Sequence, residues 1–88
     1  MKRTEGSYYA DPKDVAYIVC RHFALHDSVK DPSKITLNST FKDIGCSDLD
    51  TIEVLLFLEQ HFNMELPDEN WEQFITINDV VEYISRNA

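Results

Sequence analysis

Apolar residues recur along this chain at helical spacing, and turn-forming residues divide them into segments. Val15, Ile18, Val19, Phe23 and Leu25 lie on or beside one stripe of 3.6-residue period. Asp11 followed by Pro12 supplies an N-cap and a first helical residue whose missing N–H costs nothing there, so a first helix is predicted from Pro12 to about Ser28. Asp31-Pro32-Ser33 then breaks it. A second stripe, Val54, Leu55, Leu58 and Phe62, predicts a helix from about Asp48 to Phe62. Ser47 suits its N-cap, with Asp50 three residues later reaching back in a capping box, and Asp48 and Asp50 both suit the positive end of the helix dipole. Asn63 to Leu66 and Pro67 end that helix. Pro67-Asp68-Glu69 can open a short third helix through Gln73, carrying Trp71 and Phe74 inward. Thr76, with Asp79 three residues on, caps a fourth whose stripe is Val80, Val81 and Ile84.

Residues 29–46 form a connection longer than most ordered loops, yet Ile35, Leu37 and Phe41 are spaced to anchor it in a core. Residues 1–10 are polar, carry a Tyr8-Tyr9 pair and show no period, so they read as a flexible arm before a single domain over residues 11–88. No hairpin dipeptide such as Asn-Gly occurs. The pattern therefore predicts an all-α four-helix bundle with a long first loop and a short third helix.

Charge narrows the partners. The formal net charge is −8, and no Lys or Arg occurs from Asp43 to Ser85, a half that holds eleven acids. Such a surface repels phosphate backbones and anionic lipid, which disfavours nucleic acid and membranes and favours proteins with basic patches. No stretch approaches the ~20 apolar residues of a membrane span, and the first ten residues lack the apolar centre of a secretory signal. Two cysteines, Cys20 and Cys46, are too few for a disulfide scaffold and fit a reducing compartment.

On the second helix, Leu49, Glu53, Leu56 and Gln60 line a face away from the core stripe. A solvated acidic face is the ordinary reading of such charge. Two leucines among the acids instead suggest a binding surface with an apolar centre and a charged rim. His22 and His26 stand i, i+4 with Cys20 near, but the Glu of a metalloprotease helix and a second Cys pair are missing, so structural or surface histidines are expected, His61 included. Asp43, Asp48 and Asp50 lack the spacing of a calcium loop. Asp50 and Glu53 have no companion nucleophile for acid–base work, so an enzyme is not expected.

Gly45-x-x-Asp48-Leu49-Asp50-Thr51-Ile52-Glu53-Val54, then Leu58-Glu59, Phe62, Leu66-Pro67-Asp68-Glu69 and Ile75-Thr76-Ile77 to Val81-Glu82-Tyr83-Ile84 together resemble acyl carrier protein. Upstream, Asp31-Pro32-x-Lys34-Ile35-x-Leu37-Asn38-Ser39-x-Phe41 before Lys42-Asp43-Ile44-Gly45 looks most like the mitochondrial branch. The resemblance covers about residues 14–85 and implies the same four-helix bundle. In that family a serine opening the second helix carries phosphopantetheine within Asp-Ser-Leu-Asp. Here the motif reads Ser47-Asp48-Leu49-Asp50, so Asp48 stands at the serine position and no cofactor is expected; Ser47 offers a hydroxyl one residue early, and phosphopantetheine there is the alternative. Trp71 and Phe57 stand where the family has small residues around the space that shelters an acyl chain, which implies a filled cavity. The connection from Phe41 to Gly45 is also one residue shorter than the family pattern.

The resemblance implies that the second helix docks onto basic patches through Asp48, Leu49, Asp50, Glu53, Leu56 and Gln60, with Glu59 a weaker addition. It points to an adaptor subunit of a larger assembly on the matrix side of mitochondria. Candidate partners are LYR-motif proteins, respiratory complex I and ribosomal subunits. A cytoplasmic location, a working carrier of fatty-acid synthesis modified at Ser47, and a helical interaction domain of merely similar architecture are the alternatives.

Overall fold

A computed structural model describes residues 11–66 and 73–87. Three helices are present among them: α1 (Pro12–Ala24), α2 (Asp48–Phe62) and α3 (Ile77–Asn87). The chain is all-α, with a single isolated bridge between Thr40 and Thr76 among the described residues. The short helix expected from Pro67, Trp71 with it, and the arm over residues 1–10 lie outside the described residues.

Helix α1 starts as its sequence requires: Asp11 Oδ1 accepts from Lys13 N–H at 2.9 Å, and Pro12 occupies the first turn. Val15, Val19 and Phe23, four residues apart, are buried against α3 and α2. The helix stops at Ala24, about one turn before the expected Ser28. The cause is His26, whose Nδ1 accepts the Ser28 N–H at 3.1 Å and so removes a donor from the helical ladder. Leu25, expected beside the buried stripe, is instead the C-cap and 70% exposed.

The segment between α1 and α2 is built from short capped turns. Asp31 caps a 3-10 turn over Pro32–Lys34, and Thr40 and Asp43 bond each other's backbone N–H. Phe41 is buried and stacks on Phe23 with ring centroids 5.3 Å apart, Ile35 is half-buried, and Leu37 is exposed at 39%. Leu37 holds the loop through its backbone instead: its carbonyl accepts from Asn78 N–H at 2.9 Å, and that of Ser39 accepts from Ile77 N–H at 3.0 Å. These two donors begin α3 and have no partner within the helix. Thr76 and Asp79 complete that helix start as a reciprocal pair, Asp79 N–H to Thr76 Oγ1 at 3.3 Å and Thr76 N–H to Asp79 Oδ2 at 3.0 Å. Ile77, Val80, Val81 and Ile84 then face the core, and Phe74 and Tyr83 pack at its edge.

Gly45 sets the approach to α2. Its φ is +96°, and a Cβ there would lie 2.7 Å from the Ser28 carbonyl oxygen. Both the backbone conformation and the close approach require glycine. Gly45→Ala is expected to cost about 2 kcal/mol or more of unfolding free energy, read as a lower midpoint in urea at unchanged slope.

Candidate functional site

The site is the head and outer face of α2. Ser47, in extended conformation, accepts the Asp50 N–H on Oγ at 3.1 Å, while Asp50 Oδ2 accepts the Ser47 N–H at 3.0 Å. This is the reciprocal box the spacing predicts. Ser28, from the turn after α1, adds its hydroxyl to the same Asp50 oxygen at 2.7 Å. The Ser47 backbone N–H first, and then the Ser28 hydroxyl, hold the Asp50 carboxyl below the usual aspartate range. Asp50 is thus a structural node at the start of α2, with only 23% of its side chain exposed.

Asp48 occupies the first helical position and is exposed. It borders an open groove of about 370 Å³ formed with Thr40, Phe41, Lys42, Phe74 and Ile75. Along the outer face Leu49 is 67% and Leu56 46% exposed, and Glu53 and Gln60 are exposed beside them. Val54, Leu55 and Leu58 fill the opposite side. Glu59 is half-buried, and its Oε2 accepts the Leu66 N–H at 2.6 Å, tying the turn after α2 back onto the helix.

Phe57 does not fill the core; it is 60% exposed. At 100° per residue it lies about 60° from buried Val54 and about 80° from Leu49, at the border between the two faces, and its exposure adds it to the outer apolar face. Spacing alone leaves such a border position undecided, and the resemblance set the expectation of a filled cavity. The other half of that expectation, Trp71, falls outside the described residues.

The histidines separate. His22 meets His61 edge to face at 5.6 Å, and burial pushes its imidazole below the usual range. His26 Nε2 lies 3.0 Å from Glu53 Oε1 and 3.8 Å from Asp50 Oδ1. Ligand atoms of His26, Asp50 and Glu53 fall within 4.8 Å of one another, close enough for a metal ion. The Ser28 N–H, however, occupies Nδ1, so the neutral ring carries its proton on Nε2, the atom facing the carboxylates. That is a hydrogen-bond donor and not a free metal ligand. Sequence spacing, which paired His26 with His22, gives no sign of a partner 27 residues away. Cys46, buried beside the motif, has its thiol pushed up by burial and then by the Asp50 charge, which disfavours a reactive thiolate.

Two expectations follow. Phe57→Ala should change the unfolding free energy by no more than about 0.5 kcal/mol, the range of exposed positions, against about 3–5 kcal/mol for a buried phenylalanine. Denaturant titration decides between them. For Asp50 the folded-state value lies below the unfolded one, so the unfolded chain binds the proton more readily. Its stabilising contribution is present above the ordinary aspartate value of 3.8 and is lost as pH falls through the lowered value. Asp50→Asn, which keeps an acceptor oxygen, should flatten the acid limb of stability against pH relative to the wild type, measured by thermal unfolding at stepwise lower pH.

The profile of the family described as the phosphopantetheine attachment site matches residues 23–84. A protein of Schizosaccharomyces pombe that bears the name of a mitochondrial acyl carrier protein is 36% identical over 62 residues, 69% of this chain and 55% of that protein's length. The acyl carrier protein of Clostridium perfringens is 47% identical over 56 residues, 62% of this chain and 74% of its own. That of Helicobacter acinonychis is 41% identical over 58 residues, 65% and 74% of the two chains.

Proposed function

This chain belongs to the phosphopantetheine attachment-site family as an acyl carrier protein, and from that premise we propose that it serves as an adaptor that has kept the carrier's docking face without its attachment chemistry. The pairing at the head of α2 carries this reading. An exposed carboxylate, Asp48, occupies the first helical position, and the neighbouring hydroxyl, Ser47 Oγ, is engaged as the N-cap. Attachment of phosphopantetheine through a phosphodiester needs a hydroxyl nucleophile, which a carboxylate does not supply. Turning Ser47 into a phosphoester would load the cap with a bulky group at a position where losing the cap altogether costs about 1 kcal/mol. The residues present therefore do not fit the group.

The outer face of α2 fits a protein partner. Leu49, Leu56 and Phe57 form an apolar centre, and Asp48, Glu53 and Glu59 stand around it with Gln60. An apolar centre with an acidic rim suits a basic, partly apolar partner surface. Asp50 supports that face from beneath by fixing the helix start. The name of the Schizosaccharomyces pombe relative supports a mitochondrial location. The proposed hosts are accordingly matrix-side assemblies: LYR-motif proteins, complex I or ribosomal subunits. In such a complex Asp48 supplies one negative charge where a carrier's phosphodiester would sit, and surface contacts do the binding.

Intact mass after co-expression with a promiscuous phosphopantetheinyl transferase tests the proposal. The wild type should gain no mass, and Asp48→Ser should gain one phosphopantetheine arm. A wild-type gain that disappears in Ser47→Ala would establish a working carrier and overturn the adaptor reading.

A further inference from the structure

His26 sits beneath the docking face. Its side chain is 17% exposed, and the Glu53 side chain above it is 53% exposed. Its Nε2–H donates to Glu53 Oε1 at 3.0 Å and lies near Asp50 Oδ1, while Nδ1 accepts the Ser28 N–H. The charged groups facing the ring are Asp50 and Glu53, both on α2, and no ion pair joins it to α1 or α3 among the described residues.

Building on the docking reading above, we propose that His26 is a positioning residue of that surface and makes its grip on a basic partner dependent on pH. The neutral ring holds Glu53 through one carboxylate oxygen. Oε2 of Glu53 remains for a partner's arginine or lysine, and its side chain has less freedom left to lose on binding. Protonation changes the same contact in two ways. The imidazolium becomes an internal cation that competes with the partner for Glu53 and Asp50, and the face gains one positive charge. The proton must go onto Nδ1, so the Ser28 N–H loses its acceptor, in the turn whose hydroxyl holds Asp50. All three effects weaken docking of a basic partner.

The probe is an amidated helical peptide with arginines at i, i+4 and i+8 between leucines, its binding followed by fluorescence anisotropy at constant ionic strength. Between about pH 8 and about pH 5.5 the wild type should lose about two- to fivefold in affinity, the scale of one charge at a partly exposed site. His26→Gln, whose amide donates without titrating, should lose almost none. A wild-type slope in His26→Gln, while Asp48→Lys and Glu53→Lys still abolish binding, overturns the inference alone. If those two reversals bind as tightly as the wild type at both pH values, the docking reading falls and the inference with it. Ring nitrogen NMR of the free protein gives an independent arm. The neutral His26 should carry its proton on Nε2 and lose that preference in Glu53→Gln, and a dominant Nδ1-protonated ring overturns the arrangement without any partner present.

Discussion

One carboxylate oxygen organises the head of α2. Asp50 Oδ2 accepts both the Ser47 N–H and the Ser28 hydroxyl, while Ser47 Oγ closes the helix from the other side. Ser28 stands 22 residues before Asp50, so this atom fastens the turn after α1 to the start of α2. The fastening needs the two segments to approach closely, which Gly45 permits by leaving space beside the Ser28 carbonyl. It also needs α1 to end early, and the Ser28 N–H bond to His26 accomplishes that. Cap, glycine and helix stop are three aspects of one constraint.

The same economy governs the rest of the long connection. Its carbonyls at Leu37 and Ser39 hold the first donors of α3, which would otherwise need water. A segment that looks like a loop in sequence is therefore part of the capping of a helix more than thirty residues away. Phe41 supplies the apolar side of that attachment by stacking on Phe23 of α1. The two ends of the connection thus serve different helices, and both are bound to the shared core.

Local rules read α2 and α3 well, because their ends are set by partners three residues away: Ser47 with Asp50, and Thr76 with Asp79. They misplaced the end of α1, where a side-chain acceptor competes with the helical ladder and no residue such as proline or glycine marks the stop. They could not show that Leu37 anchors the loop through its carbonyl and not its side chain, since that bond depends on where α3 lies. Phe57 failed for a different reason. Its position on the helical wheel, about 60° from Val54 and 80° from Leu49, lies between the two faces, and the family resemblance suggested a plug where the folded helix leaves the ring exposed. The outer face itself was legible from Leu49, Glu53, Leu56 and Gln60, whereas His26 was not, because only the folded chain brings it under Glu53.

The acids of α2 consequently have unequal roles, although they look equivalent in sequence. Asp50 and Glu59 each give carboxylate oxygens to backbone donors, the first at the helix start and the second to Leu66. Asp48 and Glu53 are the more exposed acids, and of these Glu53 is held from below by His26. Of these two, Asp48 stands at the positive end of the helix, where an anion is favoured whether it is a carboxylate or a phosphate. On the proposed reading, exchanging an attachment serine for aspartate keeps the negative charge that a basic partner meets at the head of the helix while withdrawing the hydroxyl that chemistry requires. On that same reading the exchange separates recognition from attachment at a single residue, beside a capping box that is intact.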